Sequence, residues 1–157
     1  MSYICTEYCR ILGLRKSCFM AQKIALEERV AKRIKRMKST VLMREDFDDL
    51  GGYDQVGRVL RHLANKGEVI KIGYGLYAKA ERSPITGTVI PVRNLPALAK
   101  EALSRLHVQT VPSQLDRDYN SGRSTQIPTG RLIGVTSRIK RRIGYNGNFI
   151  SFEYAAG

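Results

Sequence analysis

The chain has 157 residues, 43% of them hydrophobic and 26% charged, a composition that suits one ordinary domain or two small ones and excludes an intrinsically disordered chain. Lysine and arginine number 27 against 14 acids, giving a net charge of +13 and a pI near 10.0. Such a balance points to phosphate-bearing partners, nucleic acid first and an anionic membrane surface second.

No apolar run approaches the about 18 residues that cross a bilayer, so no membrane partner is expected. Cys5, Cys9 and Cys18 all lie near the start. An odd cysteine count without a convincing signal sequence suits a reducing cytoplasm, and we expect a cytoplasmic protein. His62 and His107 are far from the cysteines in sequence, so neither a metal site nor a cofactor is expected. Residues 1–19 read as an N-terminal extension, because Met20 opens a strong helical pattern and is itself a candidate start.

The first helix is expected over residues 21–38, with Leu26, Val30, Ile34 and Met37 as its apolar stripe. Its other side carries Lys32, Arg33, Lys35, Arg36 and Lys38. From Arg29 to Arg44 there is no acid. Val41-Leu42-Met43 reads as a very short strand. A second helix is expected from Arg44 to Leu50, with acids in its first turn, where the helix dipole favours them. Gly51-Gly52 then turns the chain.

A third helix is expected from Tyr53 to Lys66, burying Val56, Val59, Leu60 and Leu63 and ending on Gly67 in a left-handed cap. Strands at 68–72 and 76–79 form a hairpin around Gly73-Tyr74-Gly75, whose glycines allow positive backbone angles. Helix, strand, helix, turn, helix, hairpin is the order of a winged helix-turn-helix, assigned to residues 20–80. Residues 81–92, with Pro84, Gly87 and Pro91, read as a linker with room for a strand at 88–92. A second unit follows over 93–157. Its helix at 95–106 buries Leu95, Leu98, Ala99, Ala102 and Leu106. A polar stretch spans Asp116 to Gly130. Strands at 131–135 and 149–154 close the chain, with a tight Asn-Gly turn in Tyr145–Asn148. The expected fold class is α+β: an N-terminal winged helix-turn-helix, then a small mixed α/β C-terminal domain.

If the third helix enters a DNA groove, Tyr53, Gln55, Arg58 and His62 are the candidate base readers. Glutamine suits adenine and arginine suits guanine. Lys32, Arg33, Arg36, Arg44, Arg61, Lys66, Lys71 and Tyr74 are candidate phosphate and wing contacts, which position a protein without reading sequence. Tyr74 either meets sugar and phosphate or packs on its own hairpin. The stretch from Tyr119 to Phe152 again lacks acids, which makes Arg123, Arg138, Lys140, Arg141 and Arg142 candidate DNA contacts of the second unit. No catalytic constellation stands out. Asp46, Asp48 and Asp49 read as solubilising charge, and neither histidine has a nucleophile and carboxylate nearby in sequence.

The segment Met43–Lys79, with its Arg-Glu-Asp-Phe, its Gly-Tyr-Asp-Gln helix start and its Ile-Gly-Tyr-Gly-Leu-Tyr hairpin, resembles the winged-helix region of AbiEi-like antitoxins of bacterial toxin–antitoxin systems. Val111–Gly130 and the basic Arg138–Ile143 resemble that group's second domain. The resemblance implies an antitoxin that represses its own operon by binding promoter repeats in duplex DNA, and it allows a homodimer there. It also implies a co-encoded toxin, commonly a nucleotidyltransferase, without requiring a direct complex. Two alternatives stay open: a module that neutralises a toxin by binding it, and an RNA-binding regulator.

Overall fold

The computed structural model describes residues 15–155; the expected extension 1–19 lies largely outside them. The fold is α+β. Its elements are α1 (Arg15–Arg36), β1 (Val41–Met43), a 3-10 helix (Arg44–Phe47), α2 (Tyr53–Lys66), β2 (Val69–Gly73), β3 (Leu76–Arg82), β4 (Val89–Pro91) and α3 (Leu95–Arg105). They continue with β5 (Thr110–Val111), α4 (Gln114–Asn120), β6 (Leu132–Val135), β7 (Gly144–Tyr145), β8 (Asn148–Phe149) and β9 (Ser151–Tyr154).

The first sheet runs β1-β3-β2, all antiparallel, and β4 also pairs with β3. This sheet is covered on both faces, which is why β1 is buried along its whole length. Side chains alternate across a strand. Leu42, Val69 and Tyr77 therefore enter one core with Val30 and Ile34 of α1, Phe47, and Val56, Val59, Leu60 and Leu63 of α2. Val41, Met43, Ile72, Leu76 and Ala78 enter a second core with Leu98, Ala99, Ala102 and Leu103 of α3, and with Ile133, Val135, Ile143 and Ile150. The sheet is thus the wall shared by both halves of the chain. Residues 81–92, read as a linker, carry the end of β3 and all of β4, with Ala80 opposite Pro91 and Arg82 opposite Val89.

A small second sheet runs β5-β6-β9, with β6 and β9 parallel. β7 and β8 form a separate hairpin. Its turn residues Asn146 and Gly147 both have positive φ, 51° and 77°, as the Asn-Gly pair requires.

Local chemistry sets the helix limits. Gly67 ends α2 at φ 81°, with its N–H on Ala64 O and the Glu68 N–H on Leu63 O, the bond pattern that satisfies the last carbonyls of a helix. Asn94 caps α3 by accepting from the Ala97 N–H at 3.2 Å. Ser113 and Asp116 cap α4 reciprocally, and the Ser113 hydroxyl is the main reason the Asp116 carboxyl lies below the usual range. The capping pair Ser113-x-x-Asp116 was the available sign of α4, which lies across the start of the stretch read as polar loop.

The helix expected over Arg44–Leu50 is only a four-residue 3-10 turn. One turn is too short to repay helix nucleation, and the glycines that follow disfavour extension. Asp46 also folds back, its Oδ2 accepting from the Met43 N–H at 2.8 Å.

Candidate nucleic-acid interface

Burial of Val56, Val59, Leu60 and Leu63 orients α2. Its outward stripe is Asp54, Arg58, Arg61 and Asn65, spaced by three and four residues and all exposed. Arg58 projects from the middle of this stripe. Arg61 folds back, its Nε donating to Gly57 O at 3.2 Å. Gln55 is exposed on the flank nearer α1. His62 and Lys66 continue that flank and turn toward Glu27: His62 Nε2 is 3.6 Å from Glu27 Oε2, and Lys66 forms an ion pair with it. That bond to Glu27 is the chief reason the Lys66 ammonium is held above its ordinary range. His62 was expected beside Arg58 as a reader. It stands instead at the α1 seam with Lys66, because helical geometry puts positions 55, 62 and 66 on one edge and 54, 58, 61 and 65 on the next.

Tyr53 opens α2 and is 56% exposed. Above its ring, at 4.5 Å from the centroid, sits the Arg44 guanidinium. Arg44 is half-buried and presses on Gly57, where a Cβ would come within 3.1 Å of the guanidinium. It was expected as a phosphate contact, but this cation spends its charge inside the fold against an aromatic face. Arg33 is similarly committed. It pairs bidentately with Asp49, one bond at 2.8 Å, and donates to Asp46 O at 3.1 Å. Through that pairing the guanidinium holds the Asp49 carboxyl below the usual carboxylate range. Lys32 and Arg36 are exposed beside it.

Two of the three acids read as solubilising charge, Asp46 and Asp49, therefore have structural partners. Arg105 of α3 grips Asp46 through both guanidinium branches, one bond at 2.9 Å, and donates to Val41 O at 2.7 Å. Glu101, one turn earlier, accepts from the Thr40 N–H at 2.7 Å and the Val41 N–H at 3.1 Å. These bonds join α3 to the strand and turn that precede α2.

The β2–β3 hairpin ends in Tyr74, 70% exposed. The expected positive backbone angle occurs at Gly75, φ 69°, while Gly73 lacks one. Gly73 is small for a different reason: Ile143 bridges it antiparallel, and a Cβ there would lie 2.9 Å from the Arg142 carbonyl oxygen. The end of the basic run, Arg141 and Arg142, is thereby laid against the hairpin tip. Arg141 reaches Tyr74 O at 3.5 Å, and the Arg142 guanidinium stacks on Phe149 at 4.5 Å. Arg138, Lys140, Arg141 and Arg142 are all exposed, as is Lys71 on β2. Exposed Tyr74 at the β2–β3 tip, Arg141 and Arg142, and exposed Phe149 of β8 thus form one surface. Arg123 stands apart, paired with Asp118 at 3.1 Å and bonded to Ser121 Oγ at 3.0 Å.

A family of unknown function, DUF6088, matches residues 29–156. The chain belongs to this family. No curated protein and no solved structure matches it. The DUF6088 match takes in α2, both hairpins and the basic run, so the surface just described lies wholly within the family's span.

Among the described residues, no group of His, Cys, Asp and Glu is arranged to hold a metal ion. No helix among them is long and apolar enough to cross a membrane.

Proposed function

We propose that this protein binds duplex DNA through a winged helix-turn-helix made of α1, the 3-10 turn, α2 and the β2–β3 hairpin. In this reading α2 lies in the major groove. Its outward stripe, led by Arg58 and flanked by Gln55 and Tyr53, meets base edges, and Tyr74 meets the sugar–phosphate backbone. The observation that carries the reading is the docking of the basic run on the hairpin tip. It adds Arg141 and Arg142, with exposed Arg138 and Lys140 just before them in sequence, to a wing that otherwise presents little charge. Arg33, Arg44 and Lys66, held within the fold, are not needed for it, and neither are Lys32 and Arg36, which line α1 beside Asp46 and Leu50 and away from α2.

The biological role we propose is that of a cytoplasmic antitoxin that represses its own operon from promoter repeats, as the AbiEi-like resemblance suggests. It would counteract a co-encoded toxin of nucleotidyltransferase type. No catalytic chemistry is assigned to the chain. A nucleotidyltransferase-like reading frame beside the gene would support the role.

Arg58 separates base reading from mere attraction. Arg58→Ala is expected to cost about 1–3 kcal/mol of discrimination between the operator and a duplex altered at the contacted base pair. Equilibrium binding to both duplexes measures it. An equal loss on both would make Arg58 a phosphate contact and move base reading elsewhere.

A further inference from the structure

The basic flank of α1 turns away from the surface just described. Glu27 faces α2 through His62 and Lys66, whereas Arg33, on the opposite flank, faces the 3-10 turn through Asp46 O and the residues just after it through Asp49. Between α1 and that turn lies an open groove of about 490 Å³. Its cationic lining is Arg29, Lys32, Arg33 and Arg36, and its apolar lining is Met37 and Leu50. Met37 and Leu50 are half-buried and pack on the helical core, so the groove has a fixed apolar base.

Three properties of this groove restrict its ligand. First, Arg29, Lys32 and Arg36 have no ion-pair partner among the described residues, while Arg33 is already held by Asp49. The groove therefore offers exposed positive charge to an anionic visitor. Second, Asp46 also lines it, but Arg105 neutralises that carboxylate on both oxygens, so it does not repel an acid. Third, the concave form and the Met37–Leu50 base are wasted on a DNA backbone, which is convex and brings nothing apolar to bury. Methionine adapts its shape to an inserted apolar side chain. A cavity of this size falls in the range that holds a few side chains.

We propose that the groove between α1 and the 3-10 turn is a docking site for an acidic segment of a partner protein that carries leucine-sized apolar side chains. The carboxylates meet Arg29, Lys32 and Arg36 at the rim, and the apolar groups rest on Met37 and Leu50. This site lies beyond the DNA reading and is compatible with it, because its cations are on the flank of α1 opposite α2. The protein would then hold DNA and a partner at once.

The test uses the full chain and a short fluorescein-labelled peptide of Glu-Glu-Leu repeats. A Glu-Glu-Gln repeat of equal length and charge is the control. The leucine peptide is expected to bind at least about tenfold more tightly than the control, since a tenfold ratio needs only a fraction of one buried leucine. Arg29→Gln/Lys32→Gln/Arg36→Gln should lose at least about tenfold in affinity for the leucine peptide while keeping operator binding, and Met37→Gln should narrow the leucine-to-glutamine ratio. Equal affinity for the two peptides would overturn the proposal. So would undiminished peptide binding by the triple variant, or a comparable loss of DNA affinity, which would make the groove a duplex surface. A change in oligomeric state in the triple variant would assign the groove to a second copy of the chain and likewise overturn it. Base discrimination by Arg58 is read independently, so either proposal can fail without the other.

Discussion

Replacing Arg138, Arg141 and Arg142 together by glutamine is expected to weaken duplex DNA binding on the order of 10²–10³-fold at about 0.1 M salt. Each phosphate neutralised adds about −0.9 to the slope of log affinity against log salt. Relative to 1 M salt, one contact is then worth roughly eightfold at 0.1 M, and three act nearly as a product. The same variant should flatten that slope by about 2.7 while leaving the preference for operator over unrelated duplex nearly intact, because phosphate contacts position and do not read. Binding isotherms across a salt series give both quantities. The fold should tolerate the change, since all three side chains are exposed and the Gly73–Ile143 bridge is a backbone contact. Loss of affinity without a change in slope would mean that the run supports the hairpin and does not meet phosphate.

The largest effect on stability is expected at Arg105. Its guanidinium joins α3 to Asp46 and to the Val41 carbonyl. The two side chains are 26% and 15% exposed, so much of the pair is removed from water. Deleting one member of a fully buried pair costs about 3–5 kcal/mol because the other is left buried and uncompensated. With partial exposure, Arg105→Ala is expected to cost about 2–3 kcal/mol. Asp46→Asn should lose less, because the amide oxygen can still accept from the Met43 N–H. The double variant should fall well short of the sum, as residues in one network do. Urea denaturation of the four proteins completes the cycle. Full additivity would show that the pair does not couple the two halves.

Short-range features were readable from the sequence, and long-range ones were not. The pattern Val56, Val59, Leu60, Leu63 followed by Gly67 marks α2 and its end, because period and cap are both local. The Gly-Tyr-Gly tip marks the hairpin for the same reason. β1 offers only Val41-Leu42-Met43, too short for alternation to reveal that both faces are covered. The two-sided sheet therefore stayed hidden, and with it the shared wall between the halves. The bonds of Arg105 to Asp46 and of Arg33 to Asp49 join residues 59 and 16 positions apart, and no spacing rule pairs them. Arg138–Arg142 stood out as charge, but its seat on the hairpin tip depends on Ile143 meeting Gly73. The one local hint was that Gly73, read as a turn residue, is small to admit a neighbouring backbone. The approach of His62 to Glu27 was likewise not readable, since only Glu27 on another helix shows which edge of α2 faces α1.

Selective capture of duplex DNA by α2 and the wing is the central proposal. It is tested most directly by titrating the protein, at about 0.15 M salt, against duplex from upstream of its own reading frame and against a shuffled duplex of equal length. Structured RNA serves as the third ligand. The upstream duplex is expected to bind at least about a thousandfold more tightly than the shuffled one, as specific sites do, and to outcompete the RNA. Equal affinity for the two duplexes, or preference for the RNA, would contradict it.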